Sequence, residues 1–95
     1  MASFERGETV TLELLTKNRK TLVLSDPATG ITVEVWDSAG ALVVNGTAMV
    51  KDAVGEYHLY YTLPAQAPLG VYQVLYTVAD GANITKQRDS FTVHK

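Results

Sequence analysis

Residues 55–78 read GEYHLYYTLPAQAPLGVYQVLYTV, and nearly the same phrase occurs in them twice. Gly55-Glu56-Tyr57 opens one run and Gly70-Val71-Tyr72 the next, and each continues to a Tyr-Thr pair, Tyr61-Thr62 and then Tyr76-Thr77. In the first run Tyr57, Leu59, Tyr61 and Leu63 alternate with His58, Tyr60 and Thr62; in the second Tyr72, Val74, Tyr76 and Val78 alternate with Gln73, Leu75 and Thr77. A period of two sends successive side chains to opposite faces of an extended chain, so each run predicts a strand with one apolar face. Between them, Pro64-Ala65-Gln66-Ala67-Pro68-Leu69 cannot continue a ladder, because proline has no N–H to donate. The two strands therefore either pair as a hairpin or cross between the two sheets of a sandwich.

The same period extends outward from this stretch. Val10, Leu12 and Leu14 alternate with Thr9, Thr11 and Glu13, and Ile31, Val33 and Val35 with Thr32, Glu34 and Trp36. Leu22–Leu24 reads as a further short strand, closed by the turn residues Ser25-Asp26-Pro27. Asp37-Ser38-Ala39-Gly40 turns the chain into Ala41–Val44, Asn45-Gly46 reads as a second tight turn, and Thr47–Lys51 as another strand. Ile84–Val93 closes the chain with a change of phase, Ile84 being even-numbered and Phe91 and Val93 odd, which predicts a bulge or break at a sheet edge. No window carries helical spacing. Seven or eight short strands with turn signals about every 8–12 residues predict an all-β fold, an antiparallel sandwich or a barrel. The 95 residues form one domain, residues 1–95, long enough for a core without staples.

Charge and composition narrow the function. A net charge of −2 supplies no field to draw nucleic acid or an anionic membrane, so neither is an expected partner. The absence of cysteine excludes disulfides, thiolate nucleophiles and zinc–cysteine sites, and favours an intracellular, prokaryotic or viral origin. The opening Met-Ala-Ser-Phe-Glu-Arg-Gly-Glu is not a signal peptide, and no segment is apolar enough to span a membrane as a helix. A cytoplasmic location is expected, or the cell surface for a domain cut from a longer exported chain.

Chemistry is sparse. His58 and His94 have no partners legible in the sequence, and the carboxylates fall at turns and outward strand positions. Glu13 with Glu34 is the conceivable cross-strand acid pair, and Asp26, Asp37, Asp52 and Asp80 the conceivable calcium ligands; turn hydrogen bonding explains the aspartates better. No serine lies in a G-x-S-x-G elbow and no glycines form a phosphate loop, so no catalytic residue, metal ligand or cofactor is expected. Lys17-Asn18-Arg19-Lys20, the one basic cluster, reads as a solvated turn. Trp36, His58, Tyr60 and Leu75, all on the faces opposite the apolar alternation, form a candidate interaction patch, tyrosine and tryptophan being enriched at contact hot spots. Tyr57, in its Asp-x-x-Gly-x-Tyr setting, has the context of a tyrosine corner, whose hydroxyl staples a loop through a backbone hydrogen bond.

Asp52-Ala53-Val54-Gly55-Glu56-Tyr57, Leu63-Pro64, Ala67-Pro68-Leu69-Gly70-Val71-Tyr72 and Phe91-Thr92-Val93 together resemble a D-x-x-G-x-Y…L-P…A-P-x-G-x-Y…F-x-V pattern. That pattern is seen in immunoglobulin-like sandwich modules of bacteria, archaea and their viruses, including macroglobulin-type domains. Arg6–Val10 and Val33-Glu34-Val35-Trp36-Asp37-Ser38-Ala39-Gly40 are similar to the first strand and a V-x-V-x-D-x-x-G strand and turn of such modules. The chain lacks the cysteine pair of antibody domains. The resemblance implies a non-catalytic structural or protein-interaction module, associated with a phage or prophage particle, whose partners are virion components or further copies of itself. The alternative is a sugar- or peptide-binding adhesion domain of a prokaryotic cell-surface protein.

Overall fold

The computed structural model describes residues 2–16 and 30–95. They form eight strands: β1 (Ala2–Glu5), β2 (Thr9–Leu15), β3 (Gly30–Trp36), β4 (Leu42–Ala48), β5 (Val50–Ala53), β6 (Glu56–Thr62), β7 (Gly70–Asp80) and β8 (Asn83–His94). Two sheets pack face to face, one ordered β1-β8-β7-β3-β4 and the other β2-β6-β5. All pairings are antiparallel except that of β1 with β8, which is parallel. Leu22–Leu24, the Ser25–Pro27 turn and the Lys17–Lys20 cluster lie outside the described residues.

The repeated phrase resolves into strands of different sheets. β6 pairs with β2 and β5, whereas β7 pairs with β3 and β8, so the segment between them crosses the sandwich. Tyr57 on one sheet and Tyr72, Val74 and Tyr76 on the other all enter a single apolar interior. Val10, Leu12 and Leu14 join them from β2, Ile31, Val33 and Val35 from β3, and Phe91 and Val93 from β8, with Val33 and Val35 fully enclosed. Alternation has become burial: β2 runs exposed-buried through all seven positions.

The crossing segment is held at several points. The Leu63 amide donates to the Glu8 carbonyl at 2.8 Å, the Arg6 Nε–H to the Ala67 carbonyl at 2.8 Å, and the Ser38 hydroxyl to the Leu69 carbonyl at 2.7 Å. The Tyr72 hydroxyl donates back to the Pro68 carbonyl at 2.9 Å. A hydroxyl bonded to a backbone carbonyl a few residues upstream is the geometry of a tyrosine corner, here made by the tyrosine that opens the second run. Gly70 takes φ 123° where Ser38 Cβ would lie 3.1 Å from an added Cβ, so a side chain there is opposed by both backbone and neighbour.

Two local expectations are corrected. Asn45-Gly46 is no turn: β4 runs through it, and the pairing with β3 shifts between Thr47 opposite Val33 and Val44 opposite Val35. Gly46, at φ 62°, absorbs the extra residue as a bulge. The sheet change comes a few residues later at buried Met49, whose amide donates to the Ile31 carbonyl at 3.0 Å. Conversely β8 has no bulge. Its register with β7 is unbroken from Gly70 opposite Val93 to Asp80 opposite Asn83, so Ile84 points outward and is 56% exposed. The phase change reflects a hairpin longer than the facing sheet, whose distal residues have no core to enter. β1, a four-residue strand carrying one aromatic, has too little alternation to be read from the sequence.

Replacing Tyr72 by phenylalanine removes the bond to Pro68 and leaves its carbonyl without that donor. A loss of about 1–2 kcal/mol is expected in urea unfolding, with Tyr60→Phe, at an exposed position, unchanged.

Candidate functional site

The four residues of the sequence-derived patch fall into two pairs on opposite outer faces. Trp36 and Leu75 lie on the five-stranded sheet, where Trp36 is opposite Gln73 and Leu75 is flanked by Glu34 and Arg88 on the neighbouring strands. Leu75 is buried although it faces away from the core, and Trp36 is half-buried. His58 and Tyr60 lie on the three-stranded sheet, opposite Glu13 and Thr11 of β2. Strand parity was legible in sequence; the assignment of β3 and β7 to one sheet and β6 to the other was not, and it alone divides the patch.

On the β6 face His58 is the organising side chain. Its Nδ1 lies 2.6 Å from Asp52 Oδ1, and its ring sits 4.6 Å from that of Tyr60. The pairing of Val50 with His58 brings β5, and with it Asp52, alongside. The carboxylate fixes the imidazole's orientation, while Tyr60, 63% exposed, is free to meet a partner. Glu13 and Glu34, weighed as an acid pair, stand on different sheets.

The aspartates likewise disperse. Asp37 Oδ1 accepts from the Ala39 and Ala41 amides, both at 2.9 Å, and thereby shapes the β3–β4 turn. Asp80 stands at the far end of β7 from that turn, and Asp52 on the other sheet. Among the described residues no three histidine, aspartate or glutamate side chains converge as a metal site would require.

A cleft of about 330 Å³ opens between the sheets on the side where β2 faces β1 and β8. β1 covers β8 only from Phe91 to His94, so the edge of β8 before Phe91 has no neighbouring strand among the described residues. Phe4, Leu12, Val74 and Phe91 give the cleft an apolar floor, and Glu13 and Asp89 a rim of two carboxylates. Phe4 meets Phe91 edge to face at 5.7 Å. Tyr76 rises between the two parts. Its side chain is 2% exposed, yet among the described residues its hydroxyl has no hydrogen-bond partner. No buried polar side-chain atom among the described residues lacks a partner, so this hydroxyl reaches solvent through the cleft. Burial first, then the carboxylates of Asp89 and Glu13, push the phenol up to about 12. Burial also raises Tyr61 and Tyr72, with Asp37 adding to both and Arg6 opposing the rise at Tyr72.

Sequence reading missed this site because its members come from β1, β2, β7 and β8, and Asp89 sits inside a polar run, Lys86–Ser90, that reads as solvated. The signal was Asp89's odd number, which it shares with Phe91 and Val93. A scan of family models finds no match to this chain, and a search of curated proteins finds no significant relative.

The raised phenol gives a pH dependence with a definite sign. A folded tyrosine that holds its proton more tightly than an unfolded one stabilises the fold fully below the unfolded value of about 10, and that contribution is lost as pH rises toward about 12. Melting temperature is expected to fall across that window and to stay flat just below it. Tyr76→Phe should make the fall shallower and remove the last-titrating phenolate from the ultraviolet absorbance titration.

Proposed function

We propose that this protein is an immunoglobulin-like, non-catalytic module that acts by presenting rigid strand surfaces to other proteins. The strand order carries the reading. Lettering β2, β3, β5, β6, β7 and β8 as B, C, D, E, F and G places B, E and D on one sheet and C, F and G on the other, the division that immunoglobulin sandwiches use. β4 then extends the C–F–G sheet as in variable-type domains, and the Tyr72 bond stands at the E–F crossing where a tyrosine corner belongs. The residues of the D-x-x-G-x-Y and A-P-x-G-x-Y motifs fall at the starts of E and F.

The surfaces available for partnering are edges and outer faces. β4 is an edge of the five-stranded sheet, and from Ala41 to Val50 it carries no charged residue. Charges commonly protect edges from strand addition; here the Gly46 bulge interrupts the edge instead, leaving Leu42 and Val43 exposed beside the β3–β4 turn. Addition of a partner strand there fits a module that joins chains. The setting favoured by the sequence resemblance is a phage or prophage particle, with virion components or further copies of the chain as partners. An adhesion domain with an aromatic sugar platform would draw on Trp36 and Tyr60, and these stand on opposite faces.

Tagged protein expressed in a lysogenic host tests the setting: after induction it is expected to co-purify with particles, and recovery only from the soluble cell fraction would overturn the particle assignment. Val43→Lys should abolish association with the recovered partner while leaving urea unfolding within about 0.5 kcal/mol of the parent.

A further inference from the structure

We infer that the cleft between β2 and β8 is a binding site for an alkylguanidinium group, the end of an arginine side chain supplied by a partner protein. The source of the ligand rests on the interaction-module reading; the chemistry of the site stands on its own geometry. Three acceptors on two sheets border one hollow with apolar residues at its floor: the Glu13 carboxylate on β2, the Asp89 carboxylate on β8, and the Tyr76 hydroxyl on β7. Asp89 is already oriented, its Oδ1 accepting from the Ser90 amide at 2.8 Å, with its other oxygen left for a ligand. The neighbouring Arg88 does not neutralise it, because the strand alternation sends Arg88 to the outer face opposite Leu75.

Tyr76 is the observation that makes this more than a pair of acidic side chains. An enclosed phenol whose oxygen has no partner among the described residues is a polar group held ready toward the cleft. Its lone pairs can accept from a ligand.

The ligand class follows from what these groups can satisfy. Two carboxylates with no cation among the described lining residues call for positive charge. A hard divalent ion is a poor fit, since it takes six or more oxygens and no third acidic or imidazole group converges among the described residues. An ammonium ion is a compact, strongly hydrated charge that gains little from an aromatic floor. A guanidinium is planar, weakly hydrated and carries five N–H donors in a fixed fork, which suits acceptors spread around a hollow with Phe4 and Phe91 beneath. About 330 Å³ accommodates the group with part of its methylene stem along Leu12 and Val74.

Amide resonances of the full chain, followed during titration with N-acetyl-arginine-methylamide at low salt, test the site. Norleucine and lysine analogues of the same form serve as controls. Saturable shifts at Leu12, Tyr76, Asp89 and Phe91 are expected, with a dissociation constant on the order of millimolar, as for a single small fragment. The lysine analogue should bind several-fold more weakly and the norleucine analogue not at all. Glu13→Gln with Asp89→Asn, both at exposed positions, should weaken binding roughly tenfold or more, and Tyr76→Phe by a few-fold. Absence of saturable shifts, or shifts unchanged in the double variant, would overturn the assignment. A chain that assembles with a partner yet ignores the arginine analogue would defeat the site and leave the interaction module standing; arginine binding by a chain that joins no protein would do the reverse.

Discussion

The pinned connection that carries the chain from one tyrosine-bearing strand to the other, across the two sheets, is the constraint that organises the molecule. Pro64 and Pro68 deny the connection its ladder donors, while Arg6, Glu8, Ser38 and Tyr72 pin it at backbone groups that would otherwise go unpaired. With the connection held across the end of the sandwich, β6 and β7 must enter different sheets, and their tyrosine faces oppose one another. The interior then fills from both sides: Tyr57 from one sheet, Tyr72 and Tyr76 from the other, with aliphatic residues of β2 and β3 between.

The same division gives the surface its character. β6 presents His58, oriented by Asp52, and the exposed Tyr60, whereas β3 and β7 present Trp36 and the enclosed Leu75 on the far side. A sandwich filled by tyrosines also disposes of their hydroxyls in distinct ways. Tyr72 uses its hydroxyl as a staple at the crossover, and Tyr76 carries its hydroxyl to the open side between β2 and β8. Among the described residues β1 covers β8 only from Phe91 to His94, while β8 continues past the core to Asn83. The cleft lies beside this mismatch in length and is chemically mixed.

Strand existence was legible almost wherever alternation was sustained. Val10–Leu14, Ile31–Val35, Tyr57–Tyr61 and Tyr72–Val78 all proved to be strands with the expected faces inward. Local turn chemistry read well at Asp37–Gly40, where one carboxylate caps two amides. It read poorly at Asn45-Gly46, because the dipeptide suits a hairpin turn and a bulge equally, and only the position of β3 decides which of the two forms.

What the chain's residues determined by themselves is the alternation: which side chains share a face, where ladders must stop, and that the interior is apolar. These are properties of neighbours along the backbone, set by a period of two and by the chemistry of proline and glycine. Sheet membership, the separation of Trp36 from Tyr60, and the meeting of Glu13, Tyr76 and Asp89 were decided by the tertiary structure alone. They depend on pairings between segments tens of residues apart, and no local period encodes which distant edge a strand will find.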